Sequence, residues 1–233
     1  MPNQQIFCNV PWTNVHIYWD GSFGACCSET SKPYSHGSYK LKDLTVSEWF
    51  TSEPMQSLRK NIMRNQPLSL CSGCYAEESI GQESRRIKEN FKSVIFTELA
   101  FDRSFNQSPG RDSFVPVAQQ SPIDWHVDFG NECNLTCKMC NPMASSAIAA
   151  AHRRWGETAI KPKVSWTTDP KAWANFISAL DHIPIRRIHV MGGEPVMIKR
   201  YHEFIDYLIA NNRFEISLSF VTNGTLLNKE LVD

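Results

Sequence analysis

Trp125-His-Val-Asp-Phe129-Gly-Asn-Glu-Cys133-Asn-Leu-Thr-Cys137-Lys-Met-Cys140 joins a short alternating run to three closely spaced cysteines. In the run, Trp125, Val127 and Phe129 alternate with His126 and Asp128, the period of a strand with one apolar face. The cysteines follow the spacing C-x3-C-x2-C. Three thiolates on one loop hold three irons of a four-iron cluster and leave the fourth iron open to a ligand. A four-cysteine zinc site would instead be closed. The plainer readings are a zinc loop completed by His126 or His152, or three ordinary buried thiols. The spacing is unusual for zinc, so the cluster is the favoured reading.

Beyond the loop the pattern alternates. Helices are expected over 143–155, 171–180 and 201–210, and strands over 187–191 and 216–221. Strand, helix, strand, helix, strand implies a parallel sheet or part of an α/β barrel. The second strand ends in Gly192-Gly193-Glu194-Pro195 and the third in Thr222-Asn223-Gly224. Both motifs and the cysteine loop therefore fall at carboxyl ends of strands, where parallel α/β folds place their sites. Glycines let backbone approach a ligand closely. Pro195 fixes the exit from its strand, and Glu194 offers an acceptor to an ammonium group. Taken singly, the first motif is a strand-to-helix turn and the second an Asn-Gly turn.

Taken together, the cysteine loop, Gly192–Pro195 and Thr222-Asn223-Gly224 resemble the radical S-adenosylmethionine (SAM) superfamily across residues 122–233. The loop is similar to that family's defining motif, the second segment to its GGEP and the third to its TNG. The resemblance implies a [4Fe-4S] cluster held by Cys133, Cys137 and Cys140, with S-adenosyl-L-methionine on the open iron. It places Gly192, Gly193, Glu194, Pro195, Thr222 and Asn223 beside that cofactor. It also implies the family's chemistry, in which one electron splits the sulfonium and a 5′-deoxyadenosyl radical removes hydrogen from a substrate. Met139 stands where the family usually has an aromatic residue. That change bears on the adenine contact and not on ligation.

Five further cysteines lie upstream, at 8, 26, 27, 71 and 74. A hairpin is expected around Asp20-Gly21, from strands over 14–18 and 23–27. A helix over 47–65 with a break at Pro54 and a polar helix over 76–91 follow. Residues 6–92 resemble the SPASM/twitch auxiliary-cluster pattern, here placed before the barrel where that family has it after. The resemblance implies a second [4Fe-4S] cluster on Cys8, Cys26, Cys71 and Cys74, with Cys27 a buried thiol or replacement ligand. A structural zinc site on the same four cysteines is the rival, because the spacing alone does not separate the two.

The expected fold is therefore α/β. An incomplete radical-SAM-type barrel of about three strands over 122–233 follows a small α+β cysteine-rich module over 1–101 and a Ser/Gln/Pro/Gly-rich linker over 102–121. The family's partial barrel usually has more strands, so the chain is expected to be truncated within it. Lys and Arg balance Asp and Glu at 24 each, leaving no basic footprint for nucleic acid. No apolar run suits a membrane span, and Met1 to Phe7 lacks a secretion signal. The expected compartment is the cytoplasm, where clustered cysteines point to metal or redox chemistry. His126 and Asp128 share a strand face that could look into the barrel. His189 and Trp12, Trp49, Trp125, Trp155, Trp166 and Trp173 read as packing, and Arg85-Arg86 as a solvated helix face. The resemblance implies a reductant such as flavodoxin or ferredoxin, and a peptide or protein substrate is preferred. The alternative is an iron–sulfur or zinc-binding interaction module without catalysis.

Overall fold

Five strands form one sheet in the order β2-β1-β3-β4-β5: β1 Asn14–Ile17, β2 Phe23–Gly24, β3 Asp124–Asp128, β4 Arg187–Met191 and β5 Ser217–Phe220. The structure is a computed structural model and describes residues 6–26, 39–96, 121–157 and 165–229, with the side chains of 92–96 excepted. Cys27 and nearly all of the expected linker lie outside the described residues. The strands β1, β3, β4 and β5 run parallel, and β2 is antiparallel to β1. The hairpin turns at Gly21, whose φ of 77° suits a residue without Cβ, and Asp20 Oδ1 accepts from the Ser22 amide at 3.1 Å.

The strands expected in the barrel segment all form where the alternation puts them. The hairpin joins the same sheet, although the sequence suggested a module ahead of the barrel. Asn14 to Ile17 pair in register with Asp124 to Val127. Val15 and Ile17 are thereby buried in the same apolar layer as Trp125 and Val127. Burial of that kind stabilises by about 1.5–3 kcal/mol per large apolar side chain, and it favours docking over a solvated hairpin.

The register gives the sheet two unlike faces. Asn14, Asp124, Arg187 and Ser217 form one row, and His16, His126, His189 and Ser219 the next. Val15, Trp125, Ile188 and Leu218 alternate with them and point to the other side. That apolar side shares one core with α7 (Pro170–His182) and α8 (Lys199–Ala210), and Trp125 meets Phe176 edge-on at 6.0 Å. Helices against the apolar face and a polar opposite face are the layering of a barrel wall.

The polar face is covered in part by α5 (Arg85–Phe96): Arg85 Nη2 lies 2.9 Å from His126 Nε2, and Glu89 pairs with Arg187 at 3.5 Å. His126 and Asp128 do share this face, with Asp128 3.5 Å from His16. His189 is not packing alone: its Nδ1 lies 2.8 Å from Ser219 Oγ.

Other expectations change in detail. The helix over 47–65 divides into α2 (Val46–Phe50) and α3 (Glu53–Met63), with Pro54 in the first turn of α3, where a missing N–H costs nothing. The polar helix over 76–91 is two helices, α4 (Ser72–Ser79) and α5, separated at Gly81 with φ 78°. Trp155 is exposed, against the expectation of core, while Trp12, Trp49, Trp125 and Trp166 are buried. The Arg85-Arg86 pair is not a solvated face, because Arg86 is buried and ion-paired to Glu78. Among the described residues no helix is long and apolar enough to cross a membrane.

Candidate functional site

The cysteine loop leaves the carboxyl end of β3 and runs into α6 (Ser146–Arg154). Serine side chains tie it down at both ends. Ser146 Oγ accepts from the Cys133 amide at 3.1 Å, and the Ser145 hydroxyl donates to the Leu135 carbonyl at 3.1 Å. Ser145 also caps α6 through the Ile148 amide. Cys133 and Cys140 are half-buried and Cys137 is exposed. Met139, at the position that usually bears an aromatic ring in the resembled family, is almost fully exposed.

The two glycines after β4 explain how the strand end meets this loop. Gly192 and Gly193 both have positive φ, 80° and 54°. A Cβ on Gly192 would lie 2.7 Å from the Gly130 carbonyl oxygen, and one on Gly193 would lie 2.3 Å from the Glu132 carbonyl oxygen. The close approach is thus to the cysteine loop's own backbone, where the sequence suggested a ligand. The Gly193 amide donates to the Ala144 carbonyl at 3.1 Å and the Glu194 amide to the Glu132 carbonyl at 2.7 Å. These bonds lock the loop onto the end of β4.

Glu194 is fully buried. Its Oε1 accepts from the Thr222 hydroxyl at 2.7 Å, and its Oε2 accepts from the Asn223 amide at 2.6 Å. The carboxylate therefore clasps the end of β5 to the end of β4. Burial, and after it the Glu194 charge, pushes the neighbouring Tyr201 phenol up to about 12. Asn223 continues the chain of contacts. Its Nδ2 donates to Asn134 Oδ1 at 2.9 Å and stands 4.0 Å from Cys133 Sγ. All three motifs thus converge at one end of the sheet. The Glu194 clasp and the Asn134–Asn223 contact were not legible in the motifs themselves.

The amino-terminal cysteines converge elsewhere. Cys8, Cys26, Cys71 and Cys74 line one cavity together with Arg85 and Arg86 and otherwise apolar side chains. Cys8 precedes α1 (Val10–Thr13), Cys26 follows β2, and Cys71 and Cys74 lie three apart at the start of α4. Burial, and then the neighbouring Cys71 and Cys74, pushes the Cys8 thiol up to about 12. A metal centre replaces that proton when it binds. Among the described residues no group of three or more His, Cys, Asp or Glu side chains is drawn together tightly enough for a single ion. The four thiols surround a volume instead.

Comparison with known families matches both parts of the chain. Residues 127–233 match the Radical SAM superfamily, and residues 8–75 match SPASM, an iron–sulfur cluster-binding domain. The family matches thus find a Radical SAM segment in the carboxyl-terminal part of the chain and an iron–sulfur SPASM segment toward its amino-terminal end. No curated protein and no solved structure gives a match.

Proposed function

We propose that this chain is a radical SAM enzyme that cleaves S-adenosyl-L-methionine reductively and uses the resulting radical to remove hydrogen from a substrate. The observation that carries the reading is the convergence of three motifs at one end of a parallel sheet, joined by the buried Glu194 carboxylate. The donor set suits a cluster with one open iron, since three accessible thiols share one anchored loop. Glu132 Oε2, on the same loop, is buried without a hydrogen-bond partner, an acceptor left for a donor. When bound, the cluster would supply the electron that breaks the sulfonium bond.

The chain's own residues do the holding. Cys133, Cys137 and Cys140 would ligate. The Asn223 side-chain N–H, 4.0 Å from Cys133 Sγ, would face a ligating sulfur. Gly192 and Gly193 keep the β4 end against the loop, and Glu194 holds Thr222 and Asn223 in place. Pro195 begins the short 3-10 turn Pro195–Met197 that leads toward α8. Cys8, Cys26, Cys71 and Cys74 would hold the second [4Fe-4S] cluster. A peptide or protein is the proposed substrate class and a flavodoxin or ferredoxin the proposed electron donor, both following from the resemblance to auxiliary-cluster enzymes. The test is anaerobic reconstitution with iron and sulfide, iron counting, visible absorption and an assay for 5′-deoxyadenosine. A colourless protein that loads zinc and forms no 5′-deoxyadenosine overturns the proposal.

A further inference from the structure

Asn223 stands where the end of β5 meets the cysteine loop, and its side-chain amide is held in one orientation. Gly224, at a φ of 73°, turns the chain so that Thr225 folds back onto that side chain. The Thr225 backbone amide donates to Asn223 Oδ1 at 3.0 Å, and the Thr225 hydroxyl donates to the same oxygen at 2.7 Å. A backbone N–H only donates, so the oxygen end of the Asn223 amide is fixed there and its nitrogen end points the other way. That nitrogen carries two protons. One goes to Asn134 Oδ1 at 2.9 Å. The other faces Cys133 Sγ, with the nitrogen 4.0 Å from the sulfur. Asn134 closes the ring of contacts, since its Nδ2 donates to Thr225 Oγ1 at 2.8 Å. The Asn223 backbone is pinned as well, by the buried Glu194 carboxylate. Cys140, by contrast, points its thiol at an acceptor, the Asn141 carbonyl oxygen 3.9 Å away.

We propose that Asn223 hydrogen-bonds Cys133 Sγ when that sulfur ligates iron and so raises the reduction potential of the loop's cluster, with Asn134 and Thr225 holding the amide toward the sulfur. The inference rests on the reading of Cys133, Cys137 and Cys140 as cluster ligands. It gives Asn223 a role toward the cluster itself, apart from the contact with S-adenosylmethionine that the resemblance implies. Adding one electron places further negative charge on the centre, some of it on the ligating sulfurs. An N–H aimed at one of those sulfurs stabilises the reduced state more than the oxidised state. The electron comes from an external low-potential donor, dithionite in the test below, and no covalent bond is made or broken. The amide needs no reorientation when the charge arrives, because both of its ends are already engaged.

The test uses the full chain carrying Cys8→Ala, Cys26→Ala, Cys71→Ala and Cys74→Ala, so that only the Cys133 loop loads. After anaerobic reconstitution, iron is counted. The potential is then followed by dithionite titration with electron paramagnetic resonance, in this parent and with Asn223→Ala, Asn223→Asp or Thr222→Val added. Iron content is expected to stay at the parent's level throughout. Asn223→Ala lowers the reduced-to-oxidised ratio at a fixed applied potential about fivefold, a downward shift of about 40 mV for one electron. Asn223→Asp, which puts a carboxylate where the N–H was, lowers the ratio about tenfold, a shift of about 59 mV. Thr222→Val, which loosens the Glu194 clasp and keeps the N–H, stays near the parent. Equal potentials in the parent and both Asn223 variants overturn the inference. So does a shift in Thr222→Val as large as that in Asn223→Ala, because it would reflect the position of the β5 end and not the donor. Loss of iron in both Asn223 variants overturns it too, because the side chain would then be needed to form the site and not to set its potential. If the four-alanine parent does not fold, the same variants are compared in the chain with all its cysteines, on the signal that changes when S-adenosylmethionine is added. Iron content that Cys133→Ala, Cys137→Ala and Cys140→Ala leave unchanged in that chain is a different failure, which overturns the cluster reading and this inference with it.

Discussion

Replacing Glu194 by alanine removes the carboxylate that accepts from both the Thr222 hydroxyl and the Asn223 amide. Hydrogen bonds to a charged group contribute about 1.5–3 kcal/mol each. Two of them set an upper figure of about 3–6 kcal/mol for a site sealed from water. Thr222 and Asn223 are only half-buried, so water replaces part of what is lost. A local loss of about 2 kcal/mol is then expected at the end of β5, which corresponds to roughly thirtyfold faster hydrogen exchange of the Asn223 amide. Affinity for S-adenosylmethionine is expected to fall by about ten- to hundredfold, while iron on the Cys133 loop stays bound. Glu194 acts through the β5 end in this account, so Glu194→Ala and Thr222→Val should be strongly non-additive in that affinity. Exchange is measured by mass spectrometry or nuclear magnetic resonance, and affinity by equilibrium binding. Unchanged protection at Asn223 in Glu194→Ala would refute the clasp.

Replacing Cys133, Cys137 and Cys140 together with alanine is expected to halve the iron of the reconstituted protein, from about eight per chain to about four; unchanged iron sinks the assignment of that loop. Gly193→Ala puts a Cβ against the Glu132 carbonyl at a φ of 54°. It should therefore disturb the cysteine loop and lower its iron while leaving the amino-terminal site loaded; iron counting reads the loop on the Cys8→Ala background and the amino-terminal site on the Cys133→Ala, Cys137→Ala, Cys140→Ala background. Arg86→Met strands the buried Glu78 carboxylate and is expected to cost about 3–5 kcal/mol by denaturant unfolding, and less when Glu78→Leu accompanies it. Equal costs for the single and double variants would show that the ion pair is not what the site needs.

Much of this protein was determined by its sequence alone. A ligand set carried on one loop is a local property, so C-x3-C-x2-C was enough to propose Cys133, Cys137 and Cys140 as a candidate site. The alternation of Trp125, Val127 and Phe129 located β3, and the same period located β4 and β5. The tertiary structure alone decided what depends on distant partners. No periodicity tells which strand β1 lies beside, because parallel pairing with β3 is settled by the burial of Val15 and Ile17 against a core assembled from residues far along the chain. Arg86 looked like any surface arginine because its partner Glu78 sits on the preceding helix, and only packing removes both from water. Glu194 looked ready for a ligand because its motif does not contain the Thr222 and Asn223 donors that it accepts from. The SPASM/twitch resemblance named Cys8, Cys26, Cys71 and Cys74 as one set, but the apolar cavity that they line was supplied by the fold, since a long-range cavity has no spacing that a single stretch of sequence can display.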